Sequence, residues 1–447
     1  MNESLEKLYS YLNQFLNFEK TPEKNVLWLR TMEYMANLFG NPQNDFQSLH
    51  IAGSKGKGSV ASMFSSVLTE GNFSTGLYTS PHILNFAERF TQNGSFFEND
   101  IYEETINQFL KTVKNWNFAN FPEKRKPTWF ELVTLYSFLL FSKTKCQYAV
   151  YETGLGGRLD STNILHPIVS VITHIEKEHT EFLGDTLEEI AQEKAGIIKE
   201  NTPVFLLPQE KNIAAIFKEK AKNCNAPIYF LDEYLKDYQF SYTSEGMDIY
   251  LAFTDFFKRP LRCTLKLPGK FQLFNAALVA LTMKKLFPEL DESIIERGLS
   301  KAFIPGRFEI IQNKEFSAIL DGAHTPHSIK FTLETLQAMF PQNKNYTLLF
   351  ACAADKNIHA ITKNIQESAL NFSQIFITKP GNFKASKLDL VEESFTNDFL
   401  TRSHIICNED YTSTIKQAIK ASKQENAPLL VTGSFYLLAE FKKILQD

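Results

Sequence analysis

The sequence predicts an α/β fold: a mostly parallel sheet covered by helices, with an accessory antiparallel hairpin and a second, smaller α/β domain. Three observations lead there. Short apolar runs of strand length alternate with stretches of helical periodicity, the pattern of strand–helix–strand units. That alternation breaks around residues 238–254, where two alternating runs flank Ser244-Glu-Gly246. A second alternating series then follows residue 310.

In chain order, helical patterns dominate residues 3–39. Leu49-His-Ile-Ala-Gly-Ser-Lys-Gly-Lys-Gly-Ser59 is an apolar run feeding a glycine-lysine turn. Val60, Met63, Phe64, Val67 and Leu68 then repeat at helical spacing, so Ser59 opens an amphipathic helix that Gly71 stops. Residues 75–79, 146–151, 168–173 and 203–207 are the next strands, and 238–254 the hairpin. Residues 318–320, 346–350, 374–378 and 429–432 are the strands of the second series. Pro305-Gly306 is the clearest punctuation, which gives an N-terminal domain over 1–300 and a C-terminal domain over 301–447.

The turn is the most informative local feature. Gly53, Ser54, Lys55, Gly56, Lys57, Gly58 and Ser59 place free backbone N–H groups at a helix N-terminus, where the helix dipole and Lys57 both favour an anion. A phosphate cradle follows, with Ser59 as the hydroxyl in reach of a magnesium ion. The common P-loop has Ser or Thr directly after the lysine, whereas Gly58 intervenes here. The turn alone also admits a plain glycine turn with both lysines solvated.

Composition narrows the class. The 447 residues are 43% hydrophobic and 22% charged, with net charge −4, so neither nucleic acid nor an anionic membrane is an expected partner. Five scattered cysteines without C-x-x-C spacing suit reduced thiols. No secretory signal or membrane-length apolar run is visible, and a cytoplasmic protein is expected.

Several residues fall where strands end. Glu152, at the end of the strand over 146–151 and before a glycine-rich loop, is placed to hold Mg²⁺ against phosphate oxygens, or else to pair with Arg158. Asp160 is a second acid, or a loop cap. Ser80-Pro81-His82 closes the strand over 75–79, though a Ser-Pro pair is commonly only a turn. His179 is a loop histidine that on physics alone suits a surface role, since Mg²⁺ takes oxygen donors. Thr186 and Glu189 form a capping box, and Lys194 lies on the apolar face of the helix that follows; it either snorkels outward or aims into a site. Arg307 and Asp321 sit at the domain junction and a strand end of the second series, Arg307 being equally suited to a phosphate or to an interdomain ion pair.

Together these motifs resemble the folylpolyglutamate synthase and dihydrofolate synthase family of the Mur ligase superfamily. The matching pieces run in the family's order: 53–59, Ser80-Pro-His-Ile83 with Glu88-Arg89, 152–163, His179-x-x-x-Leu-Gly184, Glu193-Lys-Ala-Gly-Ile197, Gln272-x-x-Asn275, 305–309, Asp321-Gly-Ala-His324 and Thr432-Gly-Ser434. The resemblance implies a P-loop domain and a Rossmann-like domain, with ATP and the folate near the cleft between them. It implies that Lys57 and its neighbouring amides hold ATP phosphates, with Asn275, Arg307 and Asp321 as further ATP contacts. Ser59, Ser80, Glu152 and His179 become magnesium-site residues, for a pair of Mg²⁺ ions, which overturns the surface reading of His179. Lys194 matches a lysine carried as a carbamate, and His82, Phe130 and Asp160 lie in segments like those lining the pterin pocket.

The implied reaction joins L-glutamate to a folate or dihydropteroate carboxylate through an acyl phosphate, in a monomer. Departures from the family pattern are Ser54-Lys55 for Thr-Asn, Glu178 for Asp, Phe271 for His and Thr325 for Asn. Two other classes stay open at this level: a Mur-type ligase acting on a peptidoglycan precursor, and a non-catalytic nucleotide-binding module.

Overall fold

The computed structural model describes residues 3–17, 29–122, 124–312, 316–354, 356–382, 385–398 and 404–446. It divides into two compact units: Met1–Phe240, Ile249–Thr264 and Phe271–Phe303 form the first, and Ser241–Asp248, Leu265–Lys270 and Ile304–Asp447 the second.

The first unit is built on seven strands: β1 Gln47–Ala52, β2 Thr75–Tyr78, β3 Phe90–Gln92, β4 Tyr148–Glu152, β5 Val169–Ile172, β6 Val204–Leu206 and β7 Ile228–Phe230. Their order is β3-β2-β4-β1-β5-β6-β7, parallel throughout except for β3, which runs antiparallel to β2. From β1 the chain moves outward to β2, returns to β4, and then crosses to β5 on the other side of β1. The direction of winding therefore reverses between β4 and β1, the place where open α/β sheets generally bind their ligands. Residues 53–59 and 153–160 are the loops that follow β1 and β4.

The helix Lys57–Glu70 opens two residues before Ser59 and is more deeply covered than an amphipathic stripe implies. Ser59, Ser62 and Ser65, off the stripe, are also buried. The helix Glu292–Lys301 and the segment after it cover this serine side, where Ser66 Oγ donates to the Gly298 carbonyl and Ser62 Oγ to that of Phe303. The helix Trp129–Lys143 is buried on nearly all sides, with Trp129, Leu132, Tyr136 and Phe138 in an aromatic-rich core. In the region 3–39, helices occupy Glu3–Leu12 and Leu29–Leu38, and residues 18–28 lie outside those described.

The expected hairpin is β8 Leu235–Thr243 and β9 Gly246–Phe253, joined by a third strand, β10 Leu261–Leu265, in the order β10-β9-β8.

The second unit has β11 Glu309–Gln312, β12 Ser317–Asp321, β13 Tyr346–Phe350, β14 Phe372–Ile377, β15 His404–Cys407 and β16 Leu429–Thr432. The order is β11-β12-β16-β13-β14-β15, with β11 alone antiparallel. This is the smaller α/β domain that was expected. Strands β3, β7, β10, β11 and β15 carry no signal in the sequence reading. Each is only three to five residues long and lies at the edge of its sheet.

Candidate active site

The turn after β1 is shaped by its glycines. Gly53 has φ 147°, and a Cβ there would overlap the Thr173 hydroxyl at the end of β5. Gly56, with φ 89°, is the N-cap of the helix Lys57–Glu70 and brings its backbone against the Asn275 amide. Ser54 N–H donates to the His174 carbonyl at 2.8 Å, and Ser54 Oγ to the Glu176 carbonyl at 2.9 Å. These contacts fix the loop so that the N–H groups of the helix's first turn face outward from the sheet's carboxyl edge.

Two lysines converge on this loop. Lys57 Nζ donates to the carbonyls of Gly53 at 2.9 Å and Ser54 at 3.4 Å. Lys194 Nζ donates to the same Gly53 carbonyl at 2.8 Å and pairs with Glu178 Oε1 at 2.8 Å. Lys194 does not snorkel: it is 1% exposed, on the buried face formed by Ile190, Ala191 and Ala195. Burial pushes its ammonium down to about 8, helped by the Lys57 charge and opposed by Glu178. The Thr186–Glu189 capping box holds the start of this helix, as the sequence indicated.

Glu152 ends β4 opposite Ile51 of β1. One of its oxygens accepts from Ser80 N–H at 3.0 Å, and its carboxylate faces the backbone of Gly58. Arg158 pairs with Glu193 at 2.8 Å, which answers the alternative of a Glu152–Arg158 pair. Ser59 Oγ accepts from Gln272 at 3.0 Å, and Gln272 accepts from Asn275 at 2.9 Å, both on the helix Lys270–Leu286. Neither Gln272 nor Thr173 stands out in the sequence as a site residue; the one signal is the Gln272-x-x-Asn275 spacing, which puts these two on one helix face. His179 occupies the N-cap position of the short helix Thr180–Leu183 with φ 47°, without a side-chain capping bond, and is exposed.

Asp160 is the loop cap that one reading of the sequence allowed. It accepts from the N–H groups of Gly154, Leu155 and Thr162, and burial raises its carboxyl pKa against those donors. The Phe130 ring lies directly on Gly154. His82 Nδ1 accepts from Arg89 Nε at 2.8 Å, and its ring stands edge-on to Tyr9 and Phe86. Phe130 and Asp160 thus flank one loop, 153–160, while His82 follows β2.

In the second unit, Asp321 accepts from Phe308 N–H at 2.8 Å, Ala323 N–H at 2.9 Å and Thr332 Oγ1 at 3.1 Å. Burial raises its pKa, and the Arg307 charge opposes that rise. Arg307 lies over the Phe435 ring at 4.7 Å.

Both sheets are parallel apart from one edge strand each, the architecture of a two-domain α/β protein. Residues 51–283 match the model of the Mur ligase middle domain, and 306–435 that of the Mur ligase glutamate ligase domain. The chain is 31% identical over 431 residues to the dihydrofolate synthase/folylpolyglutamate synthase of Bacillus subtilis, covering 93% of this chain and 94% of that protein. The crystal structure of folylpolyglutamate synthase from Thermotoga maritima superposes with a TM-score of 0.82 at 27% identity, over 99% and 97% of the two chains. The Mycobacterium tuberculosis folylpolyglutamate synthase, solved with ADP and AMPPCP, shares the fold with a TM-score of 0.84 at 23% identity, over 99% and 98%. The chain belongs to the Mur ligase family, within its folylpolyglutamate synthase/dihydrofolate synthase group.

Proposed function

We propose that this chain uses ATP to join the amine of L-glutamate to the carboxylate of a folate, and also of dihydropteroate. The observation that carries the reading is the loop 53–59: it presents Lys57 and a helix N-terminus beside Glu152, on the neighbouring strand, at the point where the sheet's winding reverses. The relatives' names support the substrates.

A carboxylate has no adequate leaving group for amide formation. Transfer of the γ-phosphoryl group to one of its oxygens makes an acyl phosphate and releases ADP. The glutamate amine then attacks the carbonyl carbon, phosphate leaves, and the amine gives up a proton. Lys57 and the first-turn amides neutralise the phosphoryl oxygens. For that, Lys57 exchanges the Gly53 and Ser54 carbonyls for phosphate. Asn275, Arg307 and Asp321 are read as further nucleotide contacts, and His82, Phe130 and Asp160 as pterin-side residues.

For Mg²⁺, the donor set at the loop fits: the Glu152 carboxylate and the Ser59 and Ser80 hydroxyls are the oxygen ligands this ion takes, and His179 is the one nitrogen donor in our assignment. Bound magnesium supplies charge neutralisation at the phosphates. The assignment of two ions is part of the same proposal. Lys194 with a pKa near 8 keeps a neutral fraction at working pH, the form that combines with CO₂ to a carbamate. A carbamate would share its charge sign with Glu178, so carbamylation requires that ion pair to open. A cytoplasmic monomer completes the reading.

The test is ADP release and amide formation with dihydropteroate and with tetrahydrofolate, each with glutamate and Mg²⁺. Turnover with both is expected. ATP binding without amide formation from either would instead support a non-catalytic nucleotide-binding module.

A further inference from the structure

The turn that carries Arg307 is held by a helix more than a hundred residues further along the chain. Gly306 and Phe308 flank the arginine with φ of 66° and 49°. For Phe308, bulky and buried, left-handed backbone is strained, and strain of this kind persists only where the surroundings over-determine it. Gly322 N–H donates to the Gly306 carbonyl at 2.9 Å, Phe308 N–H to Asp321 at 2.8 Å, and Gly306 N–H to Glu309 Oε2 at 2.8 Å. Glu309 is in turn paired with Lys442 at 2.7 Å, the two side chains being 10% and 16% exposed. The Phe435 ring packs against the backbone of Gly322 and lies under the Arg307 guanidinium. Phe435 and Lys442 both belong to the helix Phe435–Gln446, about two turns apart and so on one face.

We propose that this helix is a positioning element for Arg307: Phe435 sets the plane of the guanidinium, and Lys442, through Glu309, fixes the turn beneath it. The proposal rests on the reading of Arg307 as a nucleotide contact. A sheltered ion pair adds little net stability over an apolar pair of the same volume, but it fixes geometry. Here it directs one Glu309 oxygen onto both Lys442 and the Gly306 N–H. Stacking on Phe435 restricts an otherwise exposed arginine before any anion arrives, so less ordering is left for the binding step. The effect therefore falls on nucleotide affinity more than on turnover.

The test uses the full chain. Lys442→Met, Glu309→Gln and Phe435→Leu are compared with the conservative Lys442→Arg and Phe435→Tyr, with Arg307→Ala as the reference. KM for ATP and kcat are read by ADP release, and ADP affinity by calorimetry. Lys442→Met, Glu309→Gln and Phe435→Leu are expected to raise KM for ATP about fivefold with kcat nearly unchanged, and the conservative variants to restore it. In an Arg307→Ala background the same changes add nothing, because they act through that side chain. Unchanged KM, or equal losses with and without Arg307, reduces the helix to scaffold. Glu309→Gln keeps the side chain's shape, so the question is still decided if the larger changes unfold. A silent Arg307→Ala overturns the nucleotide reading together with the proposal. Failure of positioning alone looks different: Arg307→Ala weakens ATP use and the helix variants do not.

Discussion

Two ammonium groups on one carbonyl oxygen are unfavourable neighbours, and Lys57 and Lys194 are held that way at Gly53. On the proposed role of Lys57, an arriving phosphate would relieve the crowding by drawing that side chain away. Lys57→Ala and Glu152→Ala are each expected to lower ligation by more than about a hundredfold while the protein stays folded, checked by ADP release and circular dichroism. Lys194 makes a separate prediction about stability. Its folded pKa of about 8 lies below the ordinary 10.5, so between those values the unfolded chain binds more protons. Stability then rises with pH across that window. In urea titrations, the difference between wild type and Lys194→Met should move in favour of wild type by up to about 3 kcal/mol as pH increases through it. A constant difference would contradict the depressed pKa. The sequence exposed Lys194 as a cation on an apolar helix face. Its carbonyl and carboxylate partners, Gly53 and Glu178, belong to other loops, and helical spacing carries no record of them. The possible Glu152–Arg158 pair failed for the same reason: Arg158 is close in sequence, but Glu193, on another element, is closer in space.

At the scale of the element, the loop 53–59 depends on Gly53 twice over, through its φ and through the absence of a Cβ against Thr173. Gly53→Ala is expected to abolish ATP binding, measured by calorimetry, while most of the fold is kept. Adding Thr173→Ala removes the overlap with the hydroxyl but leaves the Cβ of residue 173 at 2.9 Å and a side chain at φ 147°, so it should not restore binding. Recovery in the double variant would mean that the hydroxyl overlap alone matters. The turn itself was legible from its glycines. The neighbouring helix was legible only in part: the stripe Val60, Met63, Phe64, Val67 and Leu68 marked the face toward the sheet. The serine side looked like a solvent face until the helix Glu292–Lys301 covered it from over two hundred residues away. Small polar residues that pack closely against another backbone look the same in sequence as small polar residues in water.

Over the whole molecule, the two α/β series and the accessory hairpin β8–β9 were legible, because each rests on local periodicity. Strand order was not: β16 is inserted between β12 and β13, and nothing in its sequence names its neighbours. Global stability should also carry the mark of His50, fully buried on β1 and hydrogen-bonded to Thr162 at 2.8 Å. Burial, helped by the Lys199 charge, pushes its pKa down to about 3 from an ordinary 6.5. Between these values the unfolded chain binds the extra proton, so stability falls as pH drops through the window. Relative to pH 7, wild type should lose about 2–3 kcal/mol more than His50→Gln by pH 4.5, measured by urea unfolding. Equal losses would remove His50 from the acid response. The short outer strands have a different consequence. The seven-stranded sheet ends in β3 and β7, three residues each, and the six-stranded sheet in β11 and β15, four residues each. Each offers another chain only a brief row of unpaired backbone groups, which guards two long, apolar sheets against joining edge to edge into aggregates in a crowded solution.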